Sequence, residues 1–366
     1  MTSRRHVLRA IGSGSLLGIA GCSGVLGGSA TDRQPGAREF TDGYGRTVAV
    51  PETVGDVVGV GPGALRQLAY LEATDRVVGV EDEDESMLSA PYNLANPDLR
   101  ELPVVGSAGP NAGGNPEALL SVDPDVIFYY GDPSRADTLA SQTETPVVGL
   151  KIVDIVDESA RETVFSTWRL VGEILEKGDR AEELITFFEE TVADLTDRTA
   201  DLSEDQRERA YVGAISYKGS HGVETTRKRF PPFQFAGVEN VAGGIDTDTP
   251  SVQVSEEQLL AWGPTTMFVA ADNLGRAVDD LESNPTYRDL SAAVDGEVYS
   301  ILPHASYHHN YGSILANAYF VGQTLYPDRF GDVDLQSTVD EIFETMLGAP
   351  LYEQLLEAYP AYEAVM

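Results

Sequence analysis

Short apolar runs separated by amphipathic stretches set the rhythm of the first half of the chain. The runs at 56–60, 76–80, 103–106, 125–130 and 146–150 read as strands, and the stretches between them as helices. That alternation predicts a mostly parallel sheet covered on both faces. From about Glu158 to Leu202 the rhythm gives way to one long amphipathic, charge-rich pattern, with at most a break at Gly178-Asp179. Alternation then resumes with YVGAIS, TTMFVAAD and EVYSILP. The expected fold is α/β: an N-terminal lobe (39–157) and a C-terminal lobe (204–366), each with a mostly parallel sheet flanked by helices, bridged by one long rigid α-helix within 158–203. The run LANAYFVGQTLYP (315–327), apolar at helical spacing and stopped by Pro327, reads as core, as do Trp168 and Trp262.

An internal echo supports the two-lobe division. PEALLSVDPDVIFY and EEQLLAWGPTTMFV superpose at an offset of 140 residues, placing Glu117 on Glu257, Leu119 and Leu120 on Leu259 and Leu260, and Pro124 on Pro264. Each copy is an acid, a short helix, a proline stop and an apolar strand. A carboxylate near each helix start is favoured by the helix dipole, so capping alone accounts for these acids as well as a shared function does.

Charge changes the picture. The chain of 366 residues carries 59 acidic against 25 basic side chains, only four of the latter being lysine, for a net charge of -34. Such a surface suits high salt, because at roughly 1 M the Debye length falls to about 3 Å and self-repulsion is screened. Nucleic acid and anionic membrane surfaces are poor partners for it. The first 22 residues read as an address: paired Arg4 and Arg5, an apolar run too short to span a bilayer, then Gly21-Cys22. They resemble a twin-arginine export signal with a lipobox-like end, although Ile19 stands where leucine is commonest. Cys22 is the sole cysteine, so no intramolecular disulfide can form, and its expected role is a lipid anchor on the outer face of the membrane. Residues 23–38, rich in Gly, Ser and Pro, read as a flexible tether.

The stretches VVGVGPGALRQLAYLEATDRVVGV, GNPEALLSVDPDVIFYY, GVENVAG, VSEEQLLAWGPTTMFV and LANAYFVGQTLYP, in this order and spacing, resemble substrate-binding lipoproteins of ABC importers. The class concerned carries iron-siderophore, haem and cobalamin complexes, and the similarity covers roughly residues 39–360. The resemblance implies two lobes joined by a rigid helix, a ligand held between them, and one surface glutamate per lobe docking onto arginines of a permease dimer served by ATPase subunits. By motif those glutamates are Glu117 and Glu257. It implies a monomeric binding protein that captures an iron(III)-siderophore-type or corrinoid complex, and no enzyme.

An alternative starts from Gly59, Gly61 and Ala64, which follow an apolar strand and precede Glu81 by about the distance of a ribose-binding acid. That spacing reads as the turn of an exported NAD(P)-binding oxidoreductase. The same turn is also a generic solution for tight strand-to-helix packing, and Pro62 removes an amide that a pyrophosphate would use. No Gly-x-Ser-x-Gly, phosphate-loop or His-Glu-x-x-His motif is present.

Ligands of open α/β lobes lie beyond the carboxyl ends of strands, which directs attention to the loops there. In the first lobe these bring Asn111 and Tyr130. In the second, Arg227, Lys228 and Arg229 form a tight basic cluster beside Phe233, pointing to an anionic, partly apolar ligand or to a local ion-pair patch. The loop PHASYHHNY adds His304, Tyr307, His308 and His309, suited to stacking or hydrogen bonding on a chelator, to metal ligation, or to plain solvation. Capture of a free transition metal is disfavoured, since the mature first lobe has no histidine.

Overall fold

The computed structural model describes residues 36–108, 113–216, 219, 221–247 and 249–366. The export signal, Cys22 and Asn111 therefore lie outside the described residues. Strands β1 (Ala37–Thr41) and β2 (Thr47–Pro51) form an antiparallel hairpin. Ala37 and Arg38, expected in the tether, belong to β1, and Arg38 donates to the Ile174 carbonyl at 2.7 Å.

The first sheet contains β3 (Val57–Val60), β4 (Val77–Glu81), β5 (Val104–Gly106), β6 (Val126–Tyr129) and β7 (Val147–Gly149) in the order β5-β4-β3-β6-β7. All its pairings are parallel. These strands fall on the five apolar runs, because a strand buried on both faces must be continuously apolar. At the end of β3 the chain turns at once into helix Ala64–Tyr70. A Cβ on Gly59 would stand 2.6 Å from the Leu65 nitrogen, so this close approach requires glycine.

The second half comprises β8 (Arg209–Gly213), β9 (Thr225–Thr226), β10 (Glu239–Asn240), β11 (Val252–Gln253), β12 (Met267–Ala270) and β13 (Val298–Ile301). Its main sheet is parallel with order β10-β8-β12-β13, while β9 and β11 pair separately and antiparallel. The internal echo is structural: in each lobe the short helix leads into the strand flanked on both sides, β6 or β12.

The bridge is helical in two pieces, Glu158–Ile174 and Gly178–Asp197. They pack back to back, with Phe165 and Trp168 against Phe188, and Arg169 paired with Glu182 at 2.7 Å. A break at residues 175–177, just before Gly178-Asp179, thus folds the long amphipathic pattern into a hairpin whose apolar stripes meet. One hydrophobic core runs through both lobes and the bridge, centred on Trp168, Tyr70 and Tyr311. Helix Tyr311–Leu325 is buried almost all round, and helix Leu335–Leu347, assigned by sequence to the second lobe, also packs on first-lobe helices Ala64–Tyr70 and Pro91–Ala95. Among the described residues no helix is long and apolar enough to cross a membrane.

Candidate functional site

Loops after the strands of both lobes meet around Asp154, which follows β7. The Arg227 guanidinium, delivered by β9, donates to its carboxylate. His304 Nε2 stands 3.2 Å and His309 Nδ1 3.9 Å from Asp154 Oδ1. Burial alone would raise this carboxyl, but His304, His309 and Arg227 pull it well below the usual range. Asp154 is therefore ionised, in an ion pair with the Arg227 guanidinium.

The three imidazoles are pushed the other way. Burial lowers His304 and His309, and burial followed by repulsion from Arg66 lowers His308 to about 3. At neutral pH all three are uncharged rings, each with one nitrogen able to accept or to ligate. They stack edge-on in a row, with centroids 4.9 Å apart for Tyr130 and His308, 4.5 Å for His308 and His309, and 5.5 Å for His304 and His309.

The histidine loop is held under backbone strain. Tyr307 (φ 47°) and His308 (φ 100°) lie in the left-handed region, unfavourable for residues with a Cβ. Arg66, fully buried on the first-lobe helix Ala64–Tyr70, donates to the Ser306 carbonyl at 2.5 Å and to that of His309 at 2.8 Å. Its guanidinium also lies over the Tyr92 ring, 4.9 Å from the centroid.

Several buried polar atoms here have no hydrogen-bond partner among the described residues: Nδ1 of His304, His308 and His309, and Nε of Arg227 and Arg66. Orphaned buried donors and acceptors cost about 1–3 kcal/mol each, so their concentration at one place marks where a solute would supply the missing bonds. Asp154, His304 and His309 also offer ligand atoms within 4.8 Å of one another, a grouping able to hold a metal. A cavity of about 210 Å³ adjoins the cluster, lined by Asp154, Arg227, Lys228, Arg229, Thr247 and Thr249.

The expected residues divide. Arg227, His304, His308, His309 and Tyr130 come together, with half-buried Lys228 on the adjoining cavity. Tyr307 points its hydroxyl to Glu81, 2.8 Å away. Arg229 lies on the rim, exposed and paired with Asp157 at 2.9 Å. Phe233 requires correction: it is fully buried between Phe230 and Phe268, because helix Pro231–Phe235 turns it into the core rather than toward the cleft. Glu117 and Glu257 are exposed in the first turns of helices Pro116–Val122 and Glu256–Trp262.

The dinucleotide alternative fails on its own atoms. The Gly61 amide donates to Glu81 at 2.7 Å, and that same acid, fully buried, receives the Tyr307 hydroxyl. A Cβ on Gly61 would strike the Tyr130 carbonyl at 1.9 Å, and one on Gly63 would stand 2.9 Å from His308 Cβ. These glycines admit protein rather than pyrophosphate. Sequence reasoning missed Asp154 and Arg66. Both carried the same signal, a lone charge inside an apolar stretch, IVDIV and GALRQLAY.

Residues 57–305 match the family model described as periplasmic binding protein. The molybdate-binding protein MolA of Haemophilus influenzae is 26% identical over 327 residues, covering 84% of this chain and 90% of that protein. The Fe(3+)-citrate-binding protein YfmC of Bacillus subtilis is 23% identical over 292 residues, covering 77% of this chain and 84% of that protein. The solved structure of MolA bound to molybdate superposes with a TM-score of 0.69 at 24% identity, covering 86% of this chain and 98% of that one.

Proposed function

The chain belongs to the periplasmic binding protein family, and from that premise we propose that it captures a compact, metal-centred anion for an ABC importer. The observation that carries this reading is the cluster itself: unpartnered Arg227 Nε beside unpartnered, uncharged imidazoles and Asp154. A carboxylate and imidazoles suit a metal centre, while Arg227 and Lys228 suit the anionic oxygens around it. Two relatives, the molybdate-binding and Fe(3+)-citrate-binding proteins, take ligands of this description. The adjoining cavity of about 210 Å³ is below the roughly 300–1,000 Å³ of sites for drug-sized molecules. Of the ligands expected from sequence this favours small ferric chelates over haem and corrinoids, and it adds metal oxyanions, which the sequence reading did not include.

In this reading the protein works outside the cytoplasm, tethered through Cys22, and delivers its ligand to a permease dimer powered by a separate ATPase. Titration calorimetry of the mature protein in molar salt tests the ligand class, using molybdate, ferric citrate, haem and cyanocobalamin. Saturable binding of molybdate or ferric citrate, with none of the larger pair, is expected. Tight binding of haem or cobalamin with neither small anion would overturn the proposal.

A further inference from the structure

The atoms that would meet a solute are covered. The side chains of Arg227, Asp154 and His304 are only 5%, 11% and 1% exposed, and Nδ1 of both His308 and His309 is buried. The neighbouring cavity touches Asp154 and Arg227, but none of its described lining residues is a histidine, so a solute entering there meets the ion pair and not the imidazole nitrogens. Part of the molecule must move before the whole cluster can be occupied.

Two motions would open it, and they differ in cost. Parting the lobes would uncover the shared core: Tyr70 and Tyr311, from opposite lobes, are buried with ring centroids 5.9 Å apart, and helix Leu335–Leu347 reaches onto first-lobe helices. Large aromatic surfaces are the most expensive to return to water. Residues 305–309 are held differently. All five are half-buried, so one side of the loop faces solvent. Its backbone bonds close within the loop: Asn310 donates to the His304 carbonyl at 3.0 Å, and Ser306 to that of His308 at 2.9 Å. Its roots, His304 and Asn310, are buried, and among the described residues no strand pairing joins it to either sheet. What ties it to the first lobe is a set of polar contacts: Arg66 on two carbonyls, Tyr307 on Glu81, and Ser306 Oγ on Met87 Sδ at 2.6 Å. Such bonds are exchanged for bonds to water on opening, with little net loss. The left-handed backbone of Tyr307 and His308 also relaxes when the loop is free.

We infer, resting on the solute reading above, that residues 305–309 are a strap latched across the site by the first lobe, and that solutes exchange when Tyr307 leaves Glu81 and the strap lifts while the lobes stay together. The closed backbone pattern and the two buried roots make the strap swing as one unit. Returning over a solute, it brings His308 and His309 back to the cluster, where their Nδ1 atoms gain the partner they lack.

Bridging pairs of introduced cysteines with a short bifunctional thiol reagent, in a Cys22→Ser background, separates the two motions. Ser306→Cys with Met87→Cys fastens the strap to the first lobe. Ser89→Cys with Tyr359→Cys, at a place where the two hydroxyls stand 2.8 Å apart, fastens lobe to lobe instead. Association of molybdate and of ferric citrate is timed with and without each bridge. For a probe that binds the unbridged protein, the strap bridge is expected to slow association about tenfold or more, as when binding waits on a conformational change, and the lobe bridge to leave it unchanged. Slowing by the lobe bridge alone, or by neither bridge, would overturn the strap. If the unbridged protein takes up neither probe, the solute reading falls, and the strap is then judged by hydrogen exchange without ligand. There Tyr307→Phe is expected to speed exchange at the Ser306 and Asn310 amides about tenfold, with 57–60 and 267–270 unmoved. No change, or the same change in all three segments, would show that Tyr307 latches nothing.

Discussion

At the ends of its strands the first lobe presents a glycine turn, Glu81, Tyr130 and, from the adjoining helix, Arg66. The second presents Arg227, Lys228 and three histidines. The contributions differ in kind as well as number. Arg66 gives its two terminal nitrogens to the opposite lobe's loop at Ser306 and His309, and Glu81 takes the Tyr307 hydroxyl from that loop beside the Gly61 amide of its own lobe, although Arg66 Nε and Glu81 Oε1 are also buried without partners among the described residues. Arg227 and the imidazoles keep buried nitrogens without partners. One lobe therefore serves as the clamp and the other as the reader of the ligand, although both descend from the same helix-strand plan.

The largest test of that division is Arg227→Ala, which would leave Asp154 as a buried, uncompensated charge. A loss of about 3–5 kcal/mol in urea unfolding is expected. Adding Asp154→Asn should recover much of it, and no recovery would mean that Arg227 matters for packing rather than for charge.

Glu81 gives the next effect. Burial raises its carboxyl to about 7, against bonds from Gly61 and Tyr307 that lower it. Between about 4.5 and 7 the folded state thus holds a proton that the unfolded state has lost, and stability falls as pH rises through that window. The total is on the order of 3 kcal/mol. The buried histidines act with the opposite sign at lower pH, so the quantity to measure is the difference between the wild type and Glu81→Gln across pH 4–8. A difference independent of pH would show that Glu81 does not titrate in this window.

Arg66→Met should cost about 2 kcal/mol by removing two bonds to carbonyls, and should speed hydrogen exchange in 303–310 beyond that in 267–270. Equal acceleration in both segments would make Arg66 a general core residue rather than the clamp. The smallest effect belongs to Arg229→Ala: its pair with Asp157 is exposed, so neither thermal midpoint nor ligand affinity should move. Lys228→Ala is expected to weaken anion binding, and the reverse ranking would place the ligand on the rim.

Much of the scaffold was legible because it is written locally. Apolar runs marked the five strands of the first sheet to within a residue or two, though not the β1-β2 hairpin, and the break expected at Gly178-Asp179 falls just before it, at residues 175–177. The histidine loop and Arg227 were also within reach, since imidazole and guanidinium are sparse in so acidic a chain. Loop orientation was not. Arg227 and Arg229 stand two residues apart, yet one is buried against Asp154, 73 residues away in the chain, and the other is exposed. Arg66 meets His309 across 243 residues. Phe233 looked like part of an apolar ligand wall because sequence cannot say toward which side a short Pro-initiated helix turns its aromatics.

Trp168 lies at the junction of the helical hairpin with both lobes, its indole N–H bonded to Gln67 at 2.9 Å and its ring 6.0 Å from that of Tyr311. Tyr311 comes just two residues after His309, yet it opens a buried helix and its hydroxyl is held by the Val153 carbonyl at 2.8 Å, so the histidine loop is anchored directly into this junction. With only one other tryptophan in the chain, Trp168 is a native fluorophore set in that junction, and its emission follows the packing of the junction without a label.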